Sequence, residues 1–116
     1  MFIAYIVVAI LFALALLMSA RGKLTRDERI VKTITGLGVP ESWFPFLAGC
    51  EIAGALGLLA GIFLGPLGIA AAAGLILYFI GAVATHLRAR DVKGLSAPTP
   101  MLAVSILALV LRIAAS

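Results

Sequence analysis

A chain of 116 residues in which 64% are hydrophobic and only 12% are charged cannot be a soluble globular domain, because so small a protein has too much surface to hide that much apolar area. The net charge of +4 comes from lysines and arginines that flank the apolar runs, so it reflects membrane topology rather than nucleic-acid binding. The single cysteine, Cys50, and the single histidine, His86, exclude an internal disulfide, a thiolate metal site and bis-histidine haem ligation within one chain.

The apolar runs predict membrane-spanning helices. Backbone polar groups in hydrocarbon must be satisfied internally, which leaves only helices or a closed barrel. The runs are long and apolar on all sides, whereas barrel strands alternate apolar and polar residues. We therefore predict an all-α membrane protein with a single domain, residues 1–116. It should be a four-transmembrane-helix bundle with spans at about residues 2–20, 43–64, 67–86 and 99–115.

The first run, Phe2–Ala20, lacks the positively charged start of a signal peptide and is longer than the usual apolar core of one, so we expect it to be a retained helix. The polar segment after it contains a candidate capping box, with Thr25 as N-cap and Glu28 three residues later. Apolar residues then follow at helical spacing: Ile30, Val31, Ile34 and Leu37. This pattern predicts a short interfacial amphipathic helix between spans 1 and 2, with a solvated loop helix as the alternative.

Small residues recur every fourth position through the second span. The set comprises Gly49, Ala53, Gly57, Gly61 and Gly65. Such a seam lets another helix approach closely, so we predict helix packing along it. We expect the partner to be another helix of the same bundle, and the alternative is a homo-oligomer.

The basic residues predict the orientation. Eight of the nine lie in the two loops on one side of a four-span protein, and only Arg112 lies near the other side. By the positive-inside rule, these loops face the cytoplasm and both termini face outwards. Arg112 is expected to extend its side chain to the outer interface.

Glu51 is the most informative residue, because it is the only carboxylate within a predicted span. An isolated carboxylate at the centre of a span costs about 2.5–3.5 kcal/mol on insertion scales, so it should face the bundle interior. It is either a ligand or proton site or a structural hydrogen-bonding residue that holds two helices together.

Further polar residues approach Glu51 from the cytoplasmic side. Arg21 and Lys23 end the first span, and His86 ends the third, with Tyr78 on the same face of that helix. We predict a ligand-binding cluster of these residues with Glu51, while an interfacial His86 without a role is the alternative. No residue is assigned a catalytic or metal-binding role.

Several short motifs are similar to those of one family. They are Arg-Gly-Lys-Leu at 21–24, Gly-Val-Pro at 38–40, the run at 51–59 that begins with Glu51, and His86. In order and spacing the whole chain resembles the DoxX-like family of small four-helix bacterial membrane proteins. The resemblance implies a multi-pass protein of the bacterial plasma membrane. It also implies a connection with redox chemistry, since some relatives are linked to thiosulfate:quinone oxidoreduction and others to membrane-associated oxidoreductase complexes in mycobacteria.

These observations favour a non-catalytic subunit of a quinone-linked redox assembly rather than an enzyme acting alone, because the chain lacks haem, flavin and thiol motifs of its own. Quinone or lipid is the expected non-covalent ligand, and the basic loops are the expected docking surface for a soluble cytoplasmic redox partner. The alternative is a small transporter, proton-coupled or for lipids or small molecules. Against it, the small multidrug-resistance transporters carry their carboxylate in the first span, which has none here. A structural, lipid-organising protein is the third hypothesis.

Overall fold

The computed structural model describes residues 1–116, and its helical, strand-free architecture confirms the predicted all-α fold. The five helices are α1 (Phe2–Leu24), α2 (Glu28–Gly36), α3 (Phe44–Ala60), α4 (Gly65–Arg88) and α5 (Pro98–Ala114). Short 3-10 turns, Glu41–Trp43 and Lys93–Ser96, precede α3 and α5. Four helical segments are long and apolar enough to cross a membrane, as predicted. Two of them are α1 and α4, and the other two are α3 and α5, each taken together with the turn that precedes it.

The four long helices form a closed ring. α1 and α4 each pack against both α3 and α5, so α1 lies diagonally opposite α4. Helices α1 and α3 are antiparallel, because Tyr5 near the start of α1 bonds to Leu58 near the end of α3, while Lys23 at the end of α1 bonds to Glu51. We call the end of the bundle that carries segments 25–43 and 89–97 the basic end, and the end that carries the turn at 61–64 the turn end.

Small residues bring α3 and α4 close together. A side-chain carbon on Gly57 would lie 2.6 Å from the Cβ of Ala71, and one on Gly54 would lie 2.5 Å from Leu75 Cδ2. At the turn end, the backbones of Gly61 and Gly68 meet with no room for a side chain between them. The absence of side chains therefore sets the distance between these helices.

Only the second half of the predicted small-residue seam packs inside the bundle. Gly49 has open space around its Cα, and Ala53 is exposed. The reason is geometric: residues four apart on an α-helix drift by about 40° per step, so a long run of them cannot stay on one face. Gly61 and Gly65 in addition lie beyond α3, in the turn and at the start of α4. The sequence spacing also missed Gly54, which contacts Leu75.

The predicted capping box is wrong. Thr25 ends α1, and both its backbone N–H and its hydroxyl donate to the carbonyl of Arg21, each at 2.9 Å. The N-cap of α2 is Asp27, whose side chain accepts from the backbone N–H of Arg29 at 3.0 Å. Between them Arg26 takes a left-handed φ of 55°, which separates the two helices. Helix α1 therefore continues to Leu24, one turn beyond the predicted end of the first span.

The predicted amphipathic helix is α2, and the bundle covers part of its apolar side. Ile30 reaches the backbone of Gly22 in α1, and Ile34 and Leu37 line the cavity described below. Its charged residues Glu28, Arg29 and Lys32 are exposed. Helix α2 thus lies across the basic end with its apolar residues turned towards α1 and the cavity.

Candidate functional site

A buried ion pair joins α1 to α3 near the basic end. Glu51 is only 1% exposed, and its Oε1 accepts a hydrogen bond from Lys23 Nζ at 2.6 Å. The same ammonium group donates to Ser19 Oγ at 2.8 Å, one helical turn earlier on α1. Because α1 continues past Ala20, Lys23 lies on the helix side that faces α3, where its chain can fold back towards the bundle interior.

The ion pair compensates the charge of the one carboxylate that the sequence places within a span. A lone carboxylate in the apolar interior would be strongly disfavoured, and a directly bonded ammonium group supplies both the opposite charge and a hydrogen bond. Once such a pair is buried, removal of either partner is costly, because the other charge is left without compensation. Each of the two residues is therefore needed to compensate the charge of the other at the contact between α1 and α3.

The ion pair forms part of the wall of a cavity of about 580 Å³. This volume falls within the range of small-molecule sites in proteins, which is about 300–1,000 Å³. The wall is mostly apolar, and α2 covers one side of it. The polar side chains in the wall are those of Ser19, Lys23, Arg29, Thr33, Trp43, Glu51, Tyr78, Thr85 and His86. We call this space the basic-end cavity.

His86 lines the basic-end cavity without contacting Glu51. Its Nδ1 lies 2.8 Å from the carbonyl oxygen of Ala82, which can only accept, so Nδ1 carries the proton in that hydrogen bond. Its Nε2 lies 4.0 Å from an oxygen of Asp91. Asp91 is held in turn by the backbone N–H of Gly94, at 3.0 Å. The ring is thus held at the edge of the cavity by its own helix, with Asp91 of the following loop nearby.

The structure brings four of the five predicted ligand-binding residues to one cavity, namely Lys23, Glu51, Tyr78 and His86. Arg21 is exposed and does not line the cavity. Two helical positions separate it from Lys23, which places the two side chains about 200° apart around α1. Ligand binding by the four cavity residues stays a prediction.

Sequence reasoning missed several contributors to this cavity, among them Ser19 and Trp43. Ser19 supplies the second acceptor for Lys23, and its only signal was its position one turn before a basic residue. Trp43 lines the cavity beside the start of α3 and is the only tryptophan of the chain. Trp43 is also 54% exposed, so it fits the interfacial anchor expected at the start of a span as well.

A second polar cluster lies at the turn end, and it overturns the expectation for Arg112. This residue is 8% exposed rather than extended to the interface, and its Nε donates to the carbonyl of Gly61 at 2.8 Å. Its guanidinium carbon lies 5.7 Å from the ring centroids of both Phe2 and Tyr5. The carbonyl groups at the end of a helix lack intrahelical donors, and Gly61 is the C-cap of α3. The glycines around this turn leave space for the guanidinium to reach its carbonyl. The Tyr5 hydroxyl satisfies another, the carbonyl of Leu58, at 2.7 Å.

The comparisons with known proteins agree with this architecture. A family model described as the DoxX-like family matches residues 7–108, which is most of the chain. No curated protein and no solved structure matches it. The chain belongs to the DoxX-like family and is a small multi-pass integral membrane protein.

Proposed function

We propose that this DoxX-like protein binds a quinone in the basic-end cavity and acts as a non-catalytic membrane subunit of a redox assembly. The observation that carries the proposal is the Lys23–Glu51 pair, a buried polar group in the wall of an otherwise mostly apolar cavity. A quinone has matching chemistry, since it combines a flat apolar ring and an apolar tail with two carbonyl oxygens that accept hydrogen bonds.

One N–H donor of the Lys23 ammonium group is unused in the structure. An ammonium group carries three N–H donors, and Lys23 uses one on Glu51 and one on Ser19. The third is free for an acceptor in the cavity. The hydroxyl of Tyr78 and the ring of His86 are further polar groups in the wall. One ring oxygen would accept from Lys23, while the apolar residues of α2 would cover the ring.

A bound quinone would supply the capacity to take up two electrons and two protons, and the residues of this chain would bind and orient it. Glu51 and His86 are among the groups in the wall that could exchange a proton with the ring. The exposed basic residues of both loops would dock a soluble redox partner with an acidic surface. The same proposal places these loops in the bacterial cytoplasm and both termini outside, by the positive-inside rule.

Trp43 offers a direct test of quinone binding. Because it is the only tryptophan and lines the cavity, a short-chain quinone such as decylubiquinone should quench its fluorescence in a saturable way. The double variant Lys23→Met/Glu51→Leu removes the free donor without leaving a buried charge unpaired, and it should weaken binding at least tenfold, since a hydrogen bond to a charged group contributes about 1.5–3 kcal/mol. Arg21→Gln is the matched control, because Arg21 is a basic residue on the same helix but outside the cavity.

Two results would contradict the proposal. One is quenching that rises linearly with quinone concentration without saturation, which is collisional. The other is saturable quenching that Lys23→Met/Glu51→Leu and Arg21→Gln reduce equally, because the cavity would then not be the site.

The transporter hypothesis is the second candidate, and the asymmetry of the bundle favours it. The cavity lies at the basic end, while the bonds from Tyr5 to Leu58 and from Arg112 to Gly61 close the turn end. This is the arrangement expected of a carrier open to one side. A proton flux linked to a defined substrate in proteoliposomes, lost in Glu51→Gln, would favour transport over quinone binding.

A further inference from the structure

The turn end contains a buried positive charge with no negative partner. Arg112 is 8% exposed, and no carboxylate forms an ion pair with it. All five acidic residues lie elsewhere: Asp27, Glu28, Glu41 and Asp91 are in or beside the loops of the basic end, and Glu51 is bonded to Lys23. The rings of Phe2 and Tyr5 stabilise the guanidinium partly, by cation–π interaction, but they bring no countercharge.

The terminal nitrogens of this guanidinium are free. Its Nε donates to Gly61, and neither Nη1 nor Nη2 donates to any group of the chain. Both keep some accessible surface, because no fully enclosed side-chain nitrogen in the chain lacks a partner. The residue as a whole is only 8% exposed, yet its unused donors keep some accessible surface.

These donors lie against the first turn of α4. A Cβ on Gly65 would be 2.9 Å from Arg112 Nη2. The backbone N–H of Gly65 has no backbone acceptor, and the next residue, Pro66, has no N–H to offer. The start of a 24-residue helix carries a partial positive charge, so the guanidinium lies where a cation is disfavoured and an anion is favoured.

We propose that the turn end binds a phosphate group, held by the terminal nitrogens of Arg112 and the backbone N–H of Gly65. A guanidinium binds phosphate oxygens through paired hydrogen bonds, and the helix start adds a further donor. The site lies where α1, α4 and α5 begin or end, which is the depth at which phospholipid headgroups meet a spanning protein. The phosphate comes either from a phospholipid headgroup or from free phosphate.

Three probes separate these sources on the full-length protein in detergent. They are dioleoylphosphatidylglycerol, dioleoylglycerol with the same acyl chains but no phosphate, and inorganic phosphate. Native mass spectrometry would count bound lipid, and the increase in melting temperature on addition of each probe would report binding to the folded state. We expect phosphatidylglycerol to bind more tightly than dioleoylglycerol. A comparable increase with inorganic phosphate would identify free phosphate as a ligand of the same site.

The variants test the site itself. Arg112→Gln should weaken phosphate binding at least tenfold, from the loss of charge-assisted hydrogen bonds. Because this variant also loses the bond to Gly61, which contributes to folding stability, Gly65→Ala provides a second test: it keeps the charge but places a methyl group at the terminal nitrogens. Gly49→Ala is its control, since that position has open space. The proposal is overturned if Arg112→Gln and Gly65→Ala bind phosphatidylglycerol as well as the unmodified protein, or if the two lipids bind equally.

Discussion

Replacement of Lys23 by methionine should destabilise the bundle severely, although methionine is similar in length and apolar. The change leaves Glu51, which is 1% exposed, without the ammonium group that lies 2.6 Å away. Breaking a buried pair by removal of one partner typically costs about 3–5 kcal/mol. Glu51→Gln should cost less, about 1–2 kcal/mol, because the amide oxygen can still accept from Lys23. Glu51→Leu should resemble Lys23→Met, since it leaves a buried ammonium group unpaired.

The double variant Lys23→Met/Glu51→Leu separates the charges from the shape. If both charges are removed together, no buried charge is left uncompensated, and apolar replacement of a buried pair is often neutral or stabilising. We therefore expect the double variant to be within about 1 kcal/mol of the unmodified protein, far from the sum of its two single variants. Reversible unfolding by dodecyl sulfate in mixed micelles, followed by circular dichroism, would measure the free energies of unfolding of the unmodified protein, the two single variants and the double variant.

The chain contains a matched control for this cycle. Arg26 and Glu41 form an ion pair of nearly the same length, 2.7 Å, but their side chains are 50% and 47% exposed. An exposed pair should couple by only about 0–1 kcal/mol, because water screens both charges. Equal coupling in the two cycles would refute the reasoning, since it would show that burial does not set the energy of the Lys23–Glu51 pair.

Three other predictions follow from the packing and the topology. Gly57→Leu should lower the free energy of unfolding by several kcal/mol, because a side chain there meets Ala71. Gly49→Leu should change it by less than about 0.5 kcal/mol, because that position has open space. Equal stability of the two variants in the same unfolding assay would contradict this prediction. Tyr5→Phe should cost about 1 kcal/mol, the contribution of its hydrogen bond to Leu58, and a cost near zero would mean that water or lipid replaces it. A cysteine at Val92 in a Cys50→Ala background should resist impermeant thiol reagents in intact cells, since the loop is predicted to be cytoplasmic, and labelling there would reverse the assigned orientation.

Hydropathy predicted the four spans well, because the cost of apolar surface in water and of unpaired backbone in lipid depends on composition over many residues. The same reasoning applied to a single residue predicted that Glu51 needs a partner. It left Arg21 and Lys23 equal as candidates, and the choice depends on how far α1 continues. That extension is set by the C-cap at Thr25, which the sequence also allowed to be the N-cap of the next helix.

The failure at Arg112 has a different physical origin. An arginine near the end of a span usually extends to water, and the alternative requires both an acceptor and an empty space inside the bundle. Gly61 provides the carbonyl, and glycines at 65 and 68 provide the space, but these residues lie in the turn and in α4, remote in sequence from position 112. A tertiary contact of this kind leaves no periodic signal in the sequence of α5.

Helix α1 connects the two polar clusters and sets their separation. Tyr5 belongs to the turn-end cluster and Lys23 to the basic-end pair, and they are eighteen residues apart, or about 27 Å along the helix axis. This distance is close to the thickness of the hydrocarbon core, about 30 Å, so each cluster lies near one face of the membrane. At the turn end the polar groups close the ring of helices, because Tyr5 and Arg112 donate to carbonyls at the end of α3. At the basic end Lys23 keeps one donor unused beside a cavity. A ligand that enters from the basic end would therefore meet a polar group before it reaches the closed half of the bundle.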